Sequence, residues 1–231
     1  MTETESGVKL MPGPITTPLA KKVKKNTFTV FQSVILILLT ALVTAGGWYA
    51  VGKFYVWPDM DMKRANQQLD YYKQKVAAEP NKAGTRVDLG YTYFLLGKNT
   101  EAIRELNQAL VLDPKSFDAY YNLGLVMLGE KRYNEALQKF TKAVELSPRD
   151  YKGYLQEGIT YRNLGMYQEA KDALTKADKL MPTNADIVYE IARVAEAQGE
   201  KETAITIYKD VLTYDPLYKP AIESLQRLEK K

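Results

Sequence analysis

The sequence predicts an all-α protein in which a solenoid of helical hairpins follows a single membrane-spanning helix. Prolines recur at one fixed interval along the chain, at Pro80, Pro114, Pro148, Pro182 and Pro216. A fixed period of this length is typical of stacked helical repeats. Residues 28–51 form an unbroken run without a charged side chain. At about 1.5 Å per residue, a helix of that length exceeds the ~30 Å hydrocarbon core of a bilayer.

The predicted anchor, residues 27–52, ends in aromatic side chains. These are Trp48, Tyr49, Phe54, Tyr55 and Trp57, which come at or just after the C-terminal end of the apolar run. Amphipathic rings favour the headgroup region of a membrane, so the cluster marks an interface. The alternative is a cleaved signal peptide, whose apolar region is usually shorter. Small residues in the span leave self-association into a homo-oligomer open.

Charge asymmetry predicts the orientation of the anchor. Four lysines precede the span, at Lys21, Lys22, Lys24 and Lys25, whereas Lys53, Lys63 and Arg64 after it are offset by Asp59 and Asp61. The positive-inside bias then places the N-terminus in the cytoplasm and the repeats on the outer side of the plasma (inner) membrane. A reversed topology, with the repeats in the cytosol, is the alternative.

Composition excludes several classes of function. The chain contains no cysteine and no histidine, which removes disulfides, thiolate nucleophiles and imidazole bases. After residue 52 the Lys and Arg residues exceed the Asp and Glu residues by only one, 27 against 26, so no basic face for nucleic acid is predicted. An enzyme using two carboxylates would need acids grouped in a cleft motif, and none is present. No catalytic residue, cofactor or metal site is predicted.

Each period predicts two packed helices. Glycine or alanine recurs at Gly90, Gly124, Gly158 and Ala192, and a large side chain recurs at Leu106, Phe140, Leu174 and Tyr208. Small residues allow close helix crossing, and large ones fill the space beside it. Ser116, Asp150 and Asn184 stand two residues after a proline and can cap the next helix, whereas Gly97, Gly165 and Gly199 suit the turn inside a hairpin.

The motif Leu89-Gly90, Tyr93, Ala102, Leu106, Ala109, Pro114 resembles that of the tetratricopeptide (TPR) repeat, and three further copies follow. The resemblance implies a right-handed superhelical solenoid that binds proteins or peptides. The expected organisation is a disordered basic tail (1–26), the transmembrane helix (27–52), a linker with a degenerate repeat helix (53–82), four repeats (83–116, 117–150, 151–184, 185–218) and a C-terminal capping helix (219–231).

In this family the first helix of each repeat lines a concave groove. Carried onto this sequence, the groove positions are Val87, Tyr91, Phe94, Tyr121, Leu125, Lys152, Ile159, Arg162, Tyr189 and Arg193. Packing within the solenoid is the alternative for Leu125, and pairing with nearby glutamates is the alternative for the two arginines. Chaperone-tail binding in this family uses two lysines, two asparagines and an arginine, of which only Asn122 and Lys152 are matched here.

The function expected from these features is that of a membrane-anchored adaptor or scaffold, which binds partner proteins through the groove and aids assembly of an envelope or secreted complex. The alternative is a structural component that associates with itself into an oligomer or filament.

Overall fold

The structure is a computed structural model that describes residues 57–230, with side chains from residue 63 onward. Ten α-helices account for most of this part of the chain. They are α1 Trp57–Ala78, α2 Ala83–Leu95, α3 Asn99–Leu112, α4 Phe117–Gly129, α5 Tyr133–Leu146, α6 Tyr151–Asn163, α7 Tyr167–Leu180, α8 Ala185–Ala197, α9 Lys201–Tyr214 and α10 Lys219–Glu229. The described residues include no strand, which confirms the prediction of an all-helical solenoid.

The periodic prolines end helices as predicted. Helices α1, α3, α5, α7 and α9 each stop two residues before a proline, because the residue before proline is biased away from helical dihedrals. The predicted caps are also confirmed. The Ser116 hydroxyl accepts from the Ala119 amide, and the Asn184 side chain accepts from two amides in the first turn of α8.

The two helices of a hairpin cross where a small residue on the first helix faces a large side chain on the second. A Cβ added at Gly90 would lie 2.7 Å from Leu106 Cγ, and one added at Gly158 would lie 2.5 Å from Leu174 Cγ. Phe140 fills the same place opposite Gly124, and all three large side chains are fully buried. The two helices therefore approach more closely than a side chain at the glycine position would allow, as the sequence pattern predicts.

The turn inside each hairpin requires a left-handed backbone. Gly97, Gly165 and Gly199 have φ values of 70°, 75° and 83°, which confirms their predicted role. Lys131 takes the equivalent position in the second repeat with φ 60°. A side chain with a Cβ is strained in this region by about 1–2 kcal/mol relative to glycine.

Replacing Lys131 by glycine is therefore expected to stabilise the protein by about 0.5–1 kcal/mol, because the relief of strain exceeds the extra backbone entropy of glycine. Urea unfolding followed by circular dichroism should show a higher midpoint at an unchanged slope. Gly165→Ala is the matched opposite, and its midpoint should fall. A lower midpoint for Lys131→Gly would contradict the strain argument.

Helices α1 and α10 cover the two ends of the solenoid. In α1, Leu69 is 3% exposed, and Tyr72 and Val76 pack with it against the first repeat. In α10, Leu225 and Leu228 are buried against the fourth repeat. The helix α1 covers Trp57–Ala78 and so takes up most of the segment 53–82, which was expected to hold a linker and a degenerate repeat helix.

Among residues 57–230, no helix has the length and apolarity needed to cross a bilayer. The predicted anchor and the predicted tail lie outside the described residues.

Candidate protein-binding groove

The first helices of the repeats lie side by side. Helix α2 contacts α4 directly, and α6 contacts α8, in addition to the contacts that each makes with its hairpin partner. Side chains at the same position of successive repeats therefore form rows along one surface. This surface is where the sequence places the groove.

The N-terminal half of this surface is open. Residues from α1, α2, α4 and the start of α6 enclose a concavity of about 560 Å³, which we call the N-terminal groove. It is lined by Lys75, Lys82, Gly84, Thr85, Val87, Asp88, Tyr91, Ser116, Phe117, Asp118, Tyr121, Asn122, Leu125 and Lys152. The lining combines aromatic rings, short aliphatic groups and charges of both signs.

Five of the ten predicted binding residues line this groove. Tyr91 is the most exposed large apolar side chain among them, at 39%, while Val87 is only 6% exposed and forms part of the groove floor. Tyr121 and Leu125 are half-buried, and Lys152 is exposed. Tyr91 and Lys152 therefore offer a partner the greatest accessible surface.

Tyr121 is held rigidly in the groove wall. Its ring stacks on Phe117 with centroids 5.5 Å apart and meets the buried Phe140 edge-on at 5.9 Å. Burial raises the pKa of the Tyr121 hydroxyl, and a hydrogen bond with Gln156 opposes the rise. The hydroxyl is therefore neutral at physiological pH. A fixed aromatic ring with a neutral polar tip gives contact area at low cost in entropy.

Two acidic groove residues, Asp88 and Asp118, were not among the predicted binding residues. Burial raises the pKa of the Asp88 carboxyl, Lys75 lowers it, and the neighbouring negative charge of Asp118 raises it. The repeat register could have identified both, because Asp88 lies one period before Asn122 and Asp118 lies one period before Lys152.

In the C-terminal half of the surface, the predicted binding side chains are paired with other side chains of this chain. Both predicted arginines bind Glu190: Arg162 at 3.2 Å and Arg193 at 3.1 Å. The pairing with a nearby glutamate that the sequence left open is therefore present. The side chains of Arg162 and Glu190 are each only 10% exposed, so this ion pair is largely shielded from solvent.

Tyrosines complete this C-terminal cluster. The Tyr189 ring lies 5.4 Å from both Tyr208 and Tyr218, and the Arg193 guanidinium lies 5.8 Å from its centroid. The Tyr218 hydroxyl donates to Asp186 at 2.6 Å. Tyr189 and the arginines are thus engaged within the chain, which leaves less of them for a partner than the sequence suggests.

The two remaining predicted residues, Phe94 and Ile159, are half-buried. Phe94 packs against the core of the first repeat and lies 6.4 Å from the Tyr91 ring. Ile159 packs against the core of the third repeat. Both support neighbouring elements, and neither lines the N-terminal groove. Whether any of the ten residues binds a partner stays a prediction.

Stacked hairpins with an open groove on one surface define a helical-repeat protein. Family models for the TPR repeat match residues 90–129, and models for the tetratricopeptide repeat match residues 117–150 and 161–228. The chain therefore carries tetratricopeptide repeats. Repeats of this class serve protein–protein interaction.

Solved structures share the architecture. The crystal structure of MamA is 28% identical, covers 68% of this chain and 94% of its own, and superposes with a TM-score of 0.58. YrrB, described as a TPR protein with an unusual peptide-binding site, is 22% identical over 72% of this chain and 86% of its own, at 0.58. A thermophilic TPR protein of Thermus thermophilus is 18% identical over 74% and 94%, at 0.64. The last two likenesses concern the fold alone.

No curated protein sequence matches the chain significantly. Within residues 63–230, no group of acidic side chains is arranged to hold a metal ion.

Proposed function

We propose that this protein is a membrane-anchored adaptor, which binds a partner protein or peptide in the N-terminal groove and thereby aids assembly of an envelope or secreted complex. The observation that carries the proposal is the open N-terminal groove, with Tyr91 and Tyr121 on its walls, set beside a C-terminal cluster whose charges are already paired. Recognition sites are typically rich in tyrosine and contain polar groups that a partner can satisfy.

The anchor and its orientation are proposed from the sequence. The uncharged run at residues 28–51 and the lysines before it favour a signal anchor with the repeats outside. This topology restricts the partners to envelope or secreted proteins.

Crosslinking in intact cells of the native host tests both parts of the proposal. With a membrane-impermeant crosslinker, the full-length protein is expected to capture a partner, and Tyr91→Ala should reduce that capture at least about fivefold, since tyrosine anchors carry more than about 1 kcal/mol of binding energy. Tyr214→Ala is the matched control because Tyr214 is 49% exposed on α9, outside the N-terminal groove.

Each outcome of this experiment has a distinct meaning. Capture that appears only with a membrane-permeant reagent would place the groove in the cytosol and overturn the localisation, while the adaptor function would stand. Capture that is equal for wild type, Tyr91→Ala and Tyr214→Ala would exclude the N-terminal groove as the binding site. No partner with either reagent would reject the adaptor function itself.

Self-association remains the alternative function. Leu69 of α1 and Leu225 and Leu228 of α10 are buried against the array, and the α10 residues Lys219, Glu223 and Arg227 are exposed. Terminal helices with polar outer faces keep a solenoid soluble and do not favour end-to-end stacking. The described ends therefore support a discrete array better than a filament.

A further inference from the structure

We propose that the N-terminal groove selects a partner segment in which a basic and an acidic side chain flank an apolar one. The inference rests on the proposed function and specifies the chemistry of the partner. The basic group would lie at Asp118 and Asp88, the apolar group on Tyr91, Tyr121 and Leu125, and the acidic group at Lys152 and Asn122.

Asp118 and Lys152 are the charges that define this pattern. They occupy the same position in successive repeats, so they lie in one row on adjacent first helices. Both are exposed and both line the N-terminal groove. In the described part of the chain neither forms an ion pair, although their charges are opposite. Two unpaired opposite charges on neighbouring first helices of one groove favour a ligand with the complementary arrangement.

A second carboxylate, that of Asp88, lies close enough to Asp118 for their negative charges to interact, and Lys75 has the larger, opposing effect on Asp88. Lys75 itself lies over the Tyr71 ring, 5.5 Å from its centroid. A cationic side chain from a partner would relieve the repulsion between the two carboxylates, which a neutral side chain cannot do.

The two lysines near the starts of α2 and α6 differ in their partners. Lys82 pairs with Glu79 at 3.0 Å and is therefore neutralised locally. Lys152 has neither a carboxylate nor an aromatic ring as a partner in residues 63–230, and the side chain of Asn122, which lines the same groove, makes no hydrogen bond there. An ammonium and an amide donor together suit a carboxylate.

The apolar centre comes from Tyr91, Tyr121 and Leu125. These side chains are partly exposed, and Tyr121 is fixed from behind by Phe140. The C-terminal half offers no comparable site, because Glu190 is already bound by two arginines. Charge selection is therefore confined to the N-terminal groove.

The separation of Asp118 and Lys152 sets the length of the segment. Packed helices lie about 8–10 Å apart, so first helices of successive repeats are separated by at least about this distance. In an extended peptide, residues i, i+2 and i+4 face the same side and span roughly 13 Å. Long lysine and glutamate side chains can adjust by the remaining few ångströms. The core Lys-Gly-Leu-Gly-Glu therefore presents all three groups to the groove.

Fluorescence anisotropy with the full-length protein in an uncharged detergent tests the inference. Four labelled peptides with neutral, capped ends share the Gly-Leu-Gly centre and differ in the outer residues: Lys and Glu, Lys and Lys, Glu and Glu, or Gln and Gln. The Lys/Glu peptide is expected to bind about fivefold more tightly than either like-charge peptide, as removal of one exposed ion pair predicts. Raising the salt concentration should reduce this preference.

Reversing the charge of Lys152 or Asp118 should change which peptide binds most tightly. Lys152→Glu is expected to bind the Lys/Lys peptide best, and Asp118→Lys the Glu/Glu peptide best. Lys179→Glu and Asp210→Lys are matched controls on the second helices α7 and α9, and they should keep the wild-type order. Circular dichroism checks that each variant is folded, and Lys152→Gln and Asp118→Asn provide milder replacements.

Equal binding of all four peptides by the wild type, or binding of none, would overturn the inference, as would a preference that Lys152→Glu and Asp118→Lys leave unchanged. These results are distinguishable from failure of the proposed function. If Tyr91→Ala still abolishes partner capture in cells while the peptides show no charge preference, the adaptor function stands and only the partner chemistry is wrong.

Discussion

Gly124→Ala is expected to destabilise the protein by about 1–3 kcal/mol, although alanine is normally the better helix former. The physical reason is the close helix crossing in the second repeat. A Cβ at this position would overlap the ring of Phe140, which is fully buried and cannot swing into solvent. Either the ring leaves its rotamer or α4 and α5 separate. Urea unfolding midpoints measure the loss.

A double-mutant cycle makes this prediction specific. Phe140→Ala alone should cost about 3–5 kcal/mol because it leaves a cavity. With the ring gone, Gly124→Ala no longer meets an obstacle, so its effect should change sign and stabilise the variant by about 0.5–1 kcal/mol. Gly84→Ala is the control, since a Cβ there meets nothing in α2 or its neighbours. A Gly124→Ala loss that is equal in both backgrounds would refute the steric explanation.

Glu190→Ala is expected to cost about 3–5 kcal/mol, the loss typical when one partner of a buried ion pair is removed. The Arg162 guanidinium, whose side chain is 10% exposed beside Glu190, would then lose its carboxylate, which accepts from Nε and lies 3.2 Å from Nη2. Glu190→Gln keeps an acceptor oxygen, and its loss should be smaller. Thermal or urea unfolding of the variants gives the comparison.

Two further variants separate charge from packing at this site. Arg193→Ala should cost at most about 1 kcal/mol, because the Arg193 side chain is 40% exposed and its ion pair is screened by solvent. Replacing both buried partners, as Arg162→Met with Glu190→Leu, should recover most of the stability lost in Glu190→Ala. If Glu190→Ala costs less than Arg193→Ala, the C-terminal cluster does not depend on a buried ion pair.

Much of the fold could be predicted because the same residues recur at helix ends, helix starts and turns in successive repeats. The prolines set the helix ends, Asn184 and its equivalents set the helix starts, and Gly165 and its equivalents set the hairpin turns. Lys131 could not be predicted to adopt the left-handed conformation from its residue type. Only the period, which aligns it with three glycines, indicates that backbone.

The candidate site was less predictable because its openness depends on contacts between repeats. The register placed Arg162 and Tyr189 on the groove surface and left pairing of Arg162 with a nearby glutamate open. It did not show that Glu190 is this partner, or that Tyr218 packs against Tyr189. A carboxylate that two arginines share is a property of three side chains on two helices. The same register did contain Asp88 and Asp118, and the structure shows that both line the N-terminal groove.

The covering of both ends by α1 and α10 also constrains how such a chain can change in evolution. A duplicated repeat added beyond α10 would find no exposed apolar face on which to stack, whereas one inserted between two existing repeats would meet matching faces on both sides. The array is therefore expected to lengthen by insertion of repeats between existing ones. The N-terminal groove would keep its geometry if the insertion fell after α7, so the recognition surface and the number of repeats can vary independently.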